Sequence, residues 1–132
     1  LNTMKLQPDR ILGQTVTGHG SGWLAIDGER FHQNLVIAWN GLRLPCQVSF
    51  EDLLVSTELT SLLDLKPEIL LVGGGTQKIN IAPAKLARLS ALNIGVESMD
   101  TAAACRTYNI LASENRKVAA ILLLYPTIEE KT

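Results

Sequence analysis

Apolar positions divide this chain into two halves with different periods. Up to about Val48 they come in short extended runs, Gln14 to Thr17, Trp23 to Ile26, Arg30 to Phe31 and Leu35 to Trp39, broken by glycine and polar turn residues. Runs of that length between turn signals read as strands. Asp27-Gly28, set between Leu24-Ala25-Ile26 and Glu29-Arg30-Phe31, is a hairpin signal, because a type I′ turn needs positive φ at both central positions. Asn40-Gly41 repeats the signal ahead of Leu42-Arg43-Leu44, and together they predict a meander of three or four short antiparallel strands.

From Ser49 the period lengthens. Ser49 followed by Asp52 approximates a capping box, and Phe50, Leu53, Leu54, Leu59, Leu62 and Leu63 lie largely on one helical stripe that Lys66-Pro67 closes. Glu68 to Val72 reads as a strand. Pro83 suits the first turn of a second helix, with Leu86, Leu89 and the flanking alanines inward until Leu92, and Asn93 stops it because asparagine tolerates the left-handed conformation. Ile94 to Glu97 is the next strand, Asp100 or Thr101 caps a third helix that Asn115 ends by the same device, and Val118 to Leu124 closes the series. The order is β-α-β-α-β. Near-continuous apolar runs such as Ile69-Leu70-Leu71-Val72 and Ala119 to Leu124 belong where both faces of a sheet are covered, so helices must cover at least one face. Right-handed crossovers make the first two of these strands parallel; the pattern does not set the direction of the last.

Length and charge narrow the picture. The 132 residues, 46% apolar, suit a single domain over 1–132, β-rich from about 10 to 48 and α/β from 49 to 125, with short loosely held ends. Twelve basic against thirteen acidic residues leave a net charge of −1 and no general field for nucleic acid. The longest apolar run, Val118 to Tyr125, falls far short of the ~20 residues of a membrane-spanning helix. The opening LNTMKLQPDR is neither a signal peptide nor an arginine-rich presequence, which leads to the expectation of a protein that stays in the cytoplasm. Cys46 and Cys105 form no C-x-x-C pair and no histidine stands at ligand spacing, so a reducing compartment is expected and no metal or other cofactor is assigned.

The sharpest chemical signal is Gly73-Gly74-Gly75-Thr76 directly after a strand, where an open α/β sheet would put a phosphate loop. The dinucleotide spacing fails at Lys78, no glycine-lysine-serine or glycine-lysine-threonine exists, and an extended Gln77 to Ile81 precedes the next helix. A tight turn with unusual φ or close packing explains these glycines as well. If the strands ending at Val72 and Glu97 are neighbours, then Gly73, Gly74, Gly75, Thr76, Glu97, Asp100, Thr101 and Arg106 share a crevice at the strand ends, the candidate site for a small ligand or a partner. Asp100 and Thr101 also serve simply as caps, and Glu97 as a backbone acceptor. In Gly18-His19-Gly20-Ser21-Gly22 the glycine positions of a nucleophile elbow hold His19 and Trp23, so a glycine-rich loop or bulge fits better. Cys105 near a helix start reads first as a small core residue. Asn109 is placed to bind loop backbone, and Glu114 and Arg116, flanking a helix end, to pair with each other or with neighbouring strands. No complete catalytic motif emerges.

Pro67-Glu68 ahead of a buried strand, the glycine-threonine loop, the pattern Glu97, Met99, Thr101, Ala104, Thr107, Asn109, Leu111, Glu114, Arg116, Val118 and the final apolar strand occur in that order. This arrangement resembles a small-domain family of unknown function that includes an assembly factor for mitochondrial NADH:ubiquinone oxidoreductase and an adipogenesis-associated protein. The resemblance implies a three-layer α/β domain with a mixed, mostly parallel central sheet and an N-terminal β-hairpin layer. It also implies a non-enzymatic protein-interaction or assembly role, with a protein partner and a membrane-associated complex, while the missing presequence leads to the expectation of a bacterial cytosolic form. It brings no catalytic residues. The family loop often reads glycine-threonine-glycine where this chain has Gly73-Gly74-Gly75-Thr76, so no ligand role carries over for it. The alternative is a small-molecule or anion-binding protein, or a cryptic enzyme, using the strand-end crevice.

If Ala119 to Leu124 is central and covered on both faces, Leu122→Asp or Leu123→Asp buries an unpaired charge and costs on the order of 3 kcal/mol or more. Thermal melts that leave both variants at the wild-type midpoint would refute the architecture.

Overall fold

The computed structural model describes residues 14–46 and 57–125. The expected capping box at Ser49 and the stripe residues Phe50, Leu53 and Leu54 lie outside the described residues, as do the chain ends. Asp27 and Gly28 have φ of 50° and 87°, the geometry of a type I′ turn, and join β2 (Trp23–Ile26) to β3 (Glu29–Phe31). β1 (Val16–Gly20) pairs antiparallel on the other side of β2, giving a small sheet in the order β1-β2-β3.

The second hairpin, β4 (Asn34–Ala38) to β5 (Arg43–Cys46), turns differently from the expected repeat. Gly41 alone is left-handed, at φ 96°; its N–H donates to the Ala38 carbonyl at 3.0 Å, and the Ala38 N–H donates to the Leu42 carbonyl at 3.1 Å. This is a three-residue loop with glycine at the left-handed position, and the Asn40 carboxamide instead accepts from the Leu42 N–H at 3.1 Å. The expected meander is therefore shared between two sheets, because β4 leaves β3 and joins the central sheet.

That sheet runs β5-β4-β8-β6-β7, with β6 Ile69–Gly73, β7 Gly95–Met99 and β8 Val118–Leu122. β8 pairs parallel with β6 and antiparallel with β4, and β6 pairs parallel with β7. Only β4 opposes the rest, so the sheet is mixed and mostly parallel. All five residues of β8 are buried. Val118, Ala120 and Leu122 share a core with Leu71, Leu35 and Ile37, with Ala104, Cys105 and Tyr108 of α3 (Thr101–Ser113), and with Val16, Leu24 and Ile26 of the small sheet. Ala119 and Ile121 point the other way, into a core with Leu70, Val72, Leu59 and Leu62 of α1 (Thr57–Asp64) and Leu89 of α2 (Pro83–Ala91). The three layers are α1 with α2, the central sheet, and α3 beside the small sheet. β8 ends earlier than its hydropathy suggests: Leu123 and Leu124 are half-buried, and Leu124 N–H donates to the Asn34 side chain at 2.9 Å.

Two polar ties fix the small sheet. Arg43 of β5 bonds Asp27 at 3.1 Å and Glu29 at 3.2 Å, while the buried Gln14 amide donates to the carbonyls of Ala38 at 3.0 Å and Leu42 at 2.6 Å. Only part of the expected inward face of α2 holds. Leu89 is buried, but Leu86 is 38% exposed and Leu92 58%. The helix packs on the edge strand β7, so one apolar turn meets the sheet and the next faces out.

Helices α2 and α3 end alike. Asn93 and Asn115 are left-handed at φ 63° and 62°. Asn93 N–H donates to Ser90 O and Ile94 N–H to Leu89 O; Asn115 N–H donates to Ala112 O and Arg116 N–H to Leu111 O. Both are Schellman motifs, which satisfy carbonyls the helix leaves open. Since glycine has no Cβ penalty there, Asn93→Gly and Asn115→Gly should hold or slightly raise the urea midpoint, and alanine should cost about 1 kcal/mol. Alanine as stable as glycine at either site would mean that strain does not select asparagine there.

Candidate functional site at the ends of β6 and β8

Gly73 closes β6 beneath the first turn of α3. A Cβ at this position would lie 2.9 Å from the Thr101 Cα and 3.1 Å from the Ala104 Cβ, so nothing larger than glycine fits without displacement. At Gly74 it would meet the Gln77 carbonyl and, at 2.8 Å, the Ile79 side chain; Gly75 is left-handed at φ 88°. The glycine run thus answers a packing demand. Its polar groups are engaged within the protein: Gly74 N–H donates to Met99 O at 2.9 Å, and Gly75 N–H donates to the Thr101 hydroxyl at 2.8 Å. Thr101 N–H returns a bond to Gly75 O at 2.9 Å, and its hydroxyl donates to Leu123 O at 2.6 Å. Leu123 N–H donates to Gly73 O at 3.0 Å. One fully buried threonine thereby fastens the ends of β6 and β8 to the start of α3.

Asp100 is the cap of α3, accepting from Ala103 N–H at 2.7 Å, while its backbone carbonyl accepts from Ala104 N–H. The structure therefore brings Gly73, Gly74, Gly75, Asp100 and Thr101 together, with Thr76 exposed at the rim. Glu97 is exposed midway along β7, beside Leu71, and Arg106 is exposed on the second turn of α3; no hydrogen bond or ion pair among the described residues ties either to the threonine knot. Arg106 lies instead with Thr17, His19, Cys105 and Asn109 around a cavity of about 350 Å³ between α3 and β1.

Burial pushes the Cys105 thiol up to about 12, against the pull of the neighbouring Arg106 charge. The favourable helix start loses to desolvation, so Cys105 is a neutral core residue. Cys46 is likewise free and buried. Burial also raises Tyr108 to about 12. Its hydroxyl has no hydrogen-bond partner among the described residues: Gln14 is close enough to favour the ionised form, but spends its amide nitrogen on Ala38 and Leu42 and its oxygen on Arg43. No group of three or more histidine, cysteine or acidic side chains among the described residues is placed to hold a metal.

For several side chains the kind of contact was expected but the partner, far off in the chain, was not. Asn109 accepts from Val16 N–H and donates to Val16 O, both at 2.9 Å, standing in for a strand on the open edge of β1. Arg116 pairs with Glu68 at 2.8 Å, holding that carboxyl below its ordinary range, with the Lys117 N–H assisting. In Gly18-His19-Gly20-Ser21-Gly22 the glycines make room for the Trp23 indole: a Cβ at Gly20 would lie 2.5 Å from its nitrogen and one at Gly18 3.2 Å from its ring. The Arg30 guanidinium lies over that ring, 3.8 Å from its centroid. Tyr125, just past β8, reaches His19 Nδ1 at 3.1 Å.

Thr101→Val keeps the shape of the knot and strands a buried N–H and a part-buried carbonyl, so it should cost about 2–4 kcal/mol in urea unfolding. Thr101→Ser keeps the hydroxyl and should cost about 1 kcal/mol for the methyl. Equal losses would remove the hydroxyl from the account.

Residues 16–123 match a family model described as Protein of unknown function (DUF498/DUF598). An uncharacterized protein of Rhodobacter capsulatus is 32% identical over 117 residues, 84% of this chain and 85% of the relative. Assembly factor 3 of the NADH dehydrogenase (ubiquinone) 1 alpha subcomplex from Xenopus tropicalis is 40% identical over 76 residues, 57% of this chain and 42% of the relative, so the match spans less than half of that protein. A crystal structure of a Bordetella parapertussis protein superposes with TM-score 0.74 at 37% identity over 84% of this chain and 95% of that one. An outer membrane protein of Bartonella henselae shares the fold, with TM-score 0.72 at 23% identity over 86% of this chain and 96% of its own. By the family match and these relatives, the chain belongs to the DUF498/DUF598 family of proteins of unknown function.

Proposed function

We propose that this chain is a non-enzymatic protein-interaction module that assists assembly of a larger, membrane-associated complex. The observation that carries the reading is the likeness to assembly factor 3 of the NADH dehydrogenase 1 alpha subcomplex. The surface supplies apolar contact points: Leu92 is more than half exposed in a groove with Leu63, Lys66 and Arg88, and Ile110 stands out from α3. Asp64 and Glu68 share the rim of that groove, Glu68 already paired with Arg116. The same reading assigns the chain to the cytoplasm. No helix among the described residues is long and apolar enough to cross a membrane, and Cys46 and Cys105 are free thiols, as a reducing compartment keeps them.

Affinity purification of the tagged chain from its own host, with membranes solubilised in mild detergent, should recover subunits of one multisubunit complex. Leu92→Asp should cut that recovery roughly tenfold with an unchanged melting temperature. A chain that fractionates with no reproducible protein partner under these conditions would sink the reading.

A further inference from the structure

The cavity between β1 and α3 carries a charge that the fold does not use. Arg106 lines it and is exposed, while the ion pairs among the described residues engage Arg43 and Arg116 instead. We propose that this cavity binds a small oxyanion, a carboxylate or a phosphate group, with the Arg106 guanidinium as its principal ligand and His19 and Thr17 as further donors. The planar fork of arginine matches both anions by paired N–H bonds. The phenol of Tyr125 lies against His19, and in one tautomer of the ring this contact makes His19 a donor. The Tyr125 hydroxyl sits 3.1 Å from Nδ1; where the phenol donates to that nitrogen, the ring proton is on Nε2 and free to give to an anion. The Thr17 hydroxyl oxygen accepts from Gly28 N–H at 2.9 Å, which leaves its own proton to donate.

The competing negative charge nearby is the Asp100 carboxylate, against which the Arg106 guanidinium acts. One Asp100 oxygen is held at the helix start by Ala103 N–H, and Cys105 is a neutral thiol. Asn109 forms a fixed wall, since both ends of its carboxamide bond Val16. A volume of about 350 Å³ is at the small end for ligand pockets and suits a small anion better than a dinucleotide. This site is separate from the proposed partner surface at Leu92, and either proposal can fail alone.

The test is a ¹H–¹⁵N NMR titration of the full chain with inorganic phosphate, and separately with succinate, chloride holding the ionic strength constant. Saturable shifts confined to Thr17 to His19, Cys105 to Asn109 and the Arg106 side chain are expected with at least one anion. Saturation by phosphate alone assigns a phosphate group, and by succinate alone a carboxylate. Arg106→Gln should weaken binding roughly tenfold or more while melting as the parent does, and Arg116→Gln, which loses only its pair with Glu68, should leave binding unchanged. Linear shifts spread over all basic residues, or equal affinity in Arg106→Gln, would overturn the proposal.

Discussion

A side chain at position 73 would lie 2.9 Å from the Thr101 Cα, so α3 can rest on the end of β6 only because that residue is glycine. From this close approach the other features of that end follow. Thr101 comes within reach of both Gly75 and Leu123, and its hydroxyl joins two strands that are adjacent in the sheet but distant in sequence. Ala104, Cys105 and Tyr108 then meet Leu71, Ala120 and Leu122 in one buried cluster. Tyr108 is carried so far inside that its hydroxyl is left without a partner among the described residues. Burial of the large aliphatic side chains, at about 1.5–3 kcal/mol each, outweighs one stranded hydroxyl at about 1–3 kcal/mol.

The same packing shapes the reading of function. Strand ends in an open sheet are where ligands gather, yet here the amides of Gly74, Gly75, Thr101 and Ala103 bond within the protein. Chemistry available to solvent lies to the side, at Arg106 and His19, and on the helices at Leu92 and Ile110. Those are the surfaces proposed above for an anion and for a protein partner, two functions that require no activated nucleophile.

Much of the architecture was legible because it rests on local rules. Asp27-Gly28, Pro83, Asp100, Asn93 and Asn115 each do in the structure what their backbone preferences and side-chain chemistry foretell. Buried β8 was legible from its unbroken apolar run. Asn40-Gly41 misled because the same dipeptide suits a two-residue or a three-residue loop, and the choice depends on register with β8 as well as on the turn. Leu86 misled because helical periodicity cannot say that α2 meets only an edge strand. At the candidate site, residue types pointed to the right place but not to the contacts. That Thr101 would bond Gly75 and Leu123, that Asn109 would seal β1, or that Arg106 would share a cavity with His19 depends on elements far apart in the chain.

Native-state hydrogen exchange tests the central claim most directly, since it reads the free energy that protects each amide. If the ends of β6 and β8 are locked by Thr101, the amides of Gly74, Gly75, Thr101 and Leu123 will exchange only with the same global opening as Leu71 and Ala120. Their exchange at the rate of an exposed loop such as Thr76 and Gln77, while the strands stay protected, would show an open strand end and contradict the account.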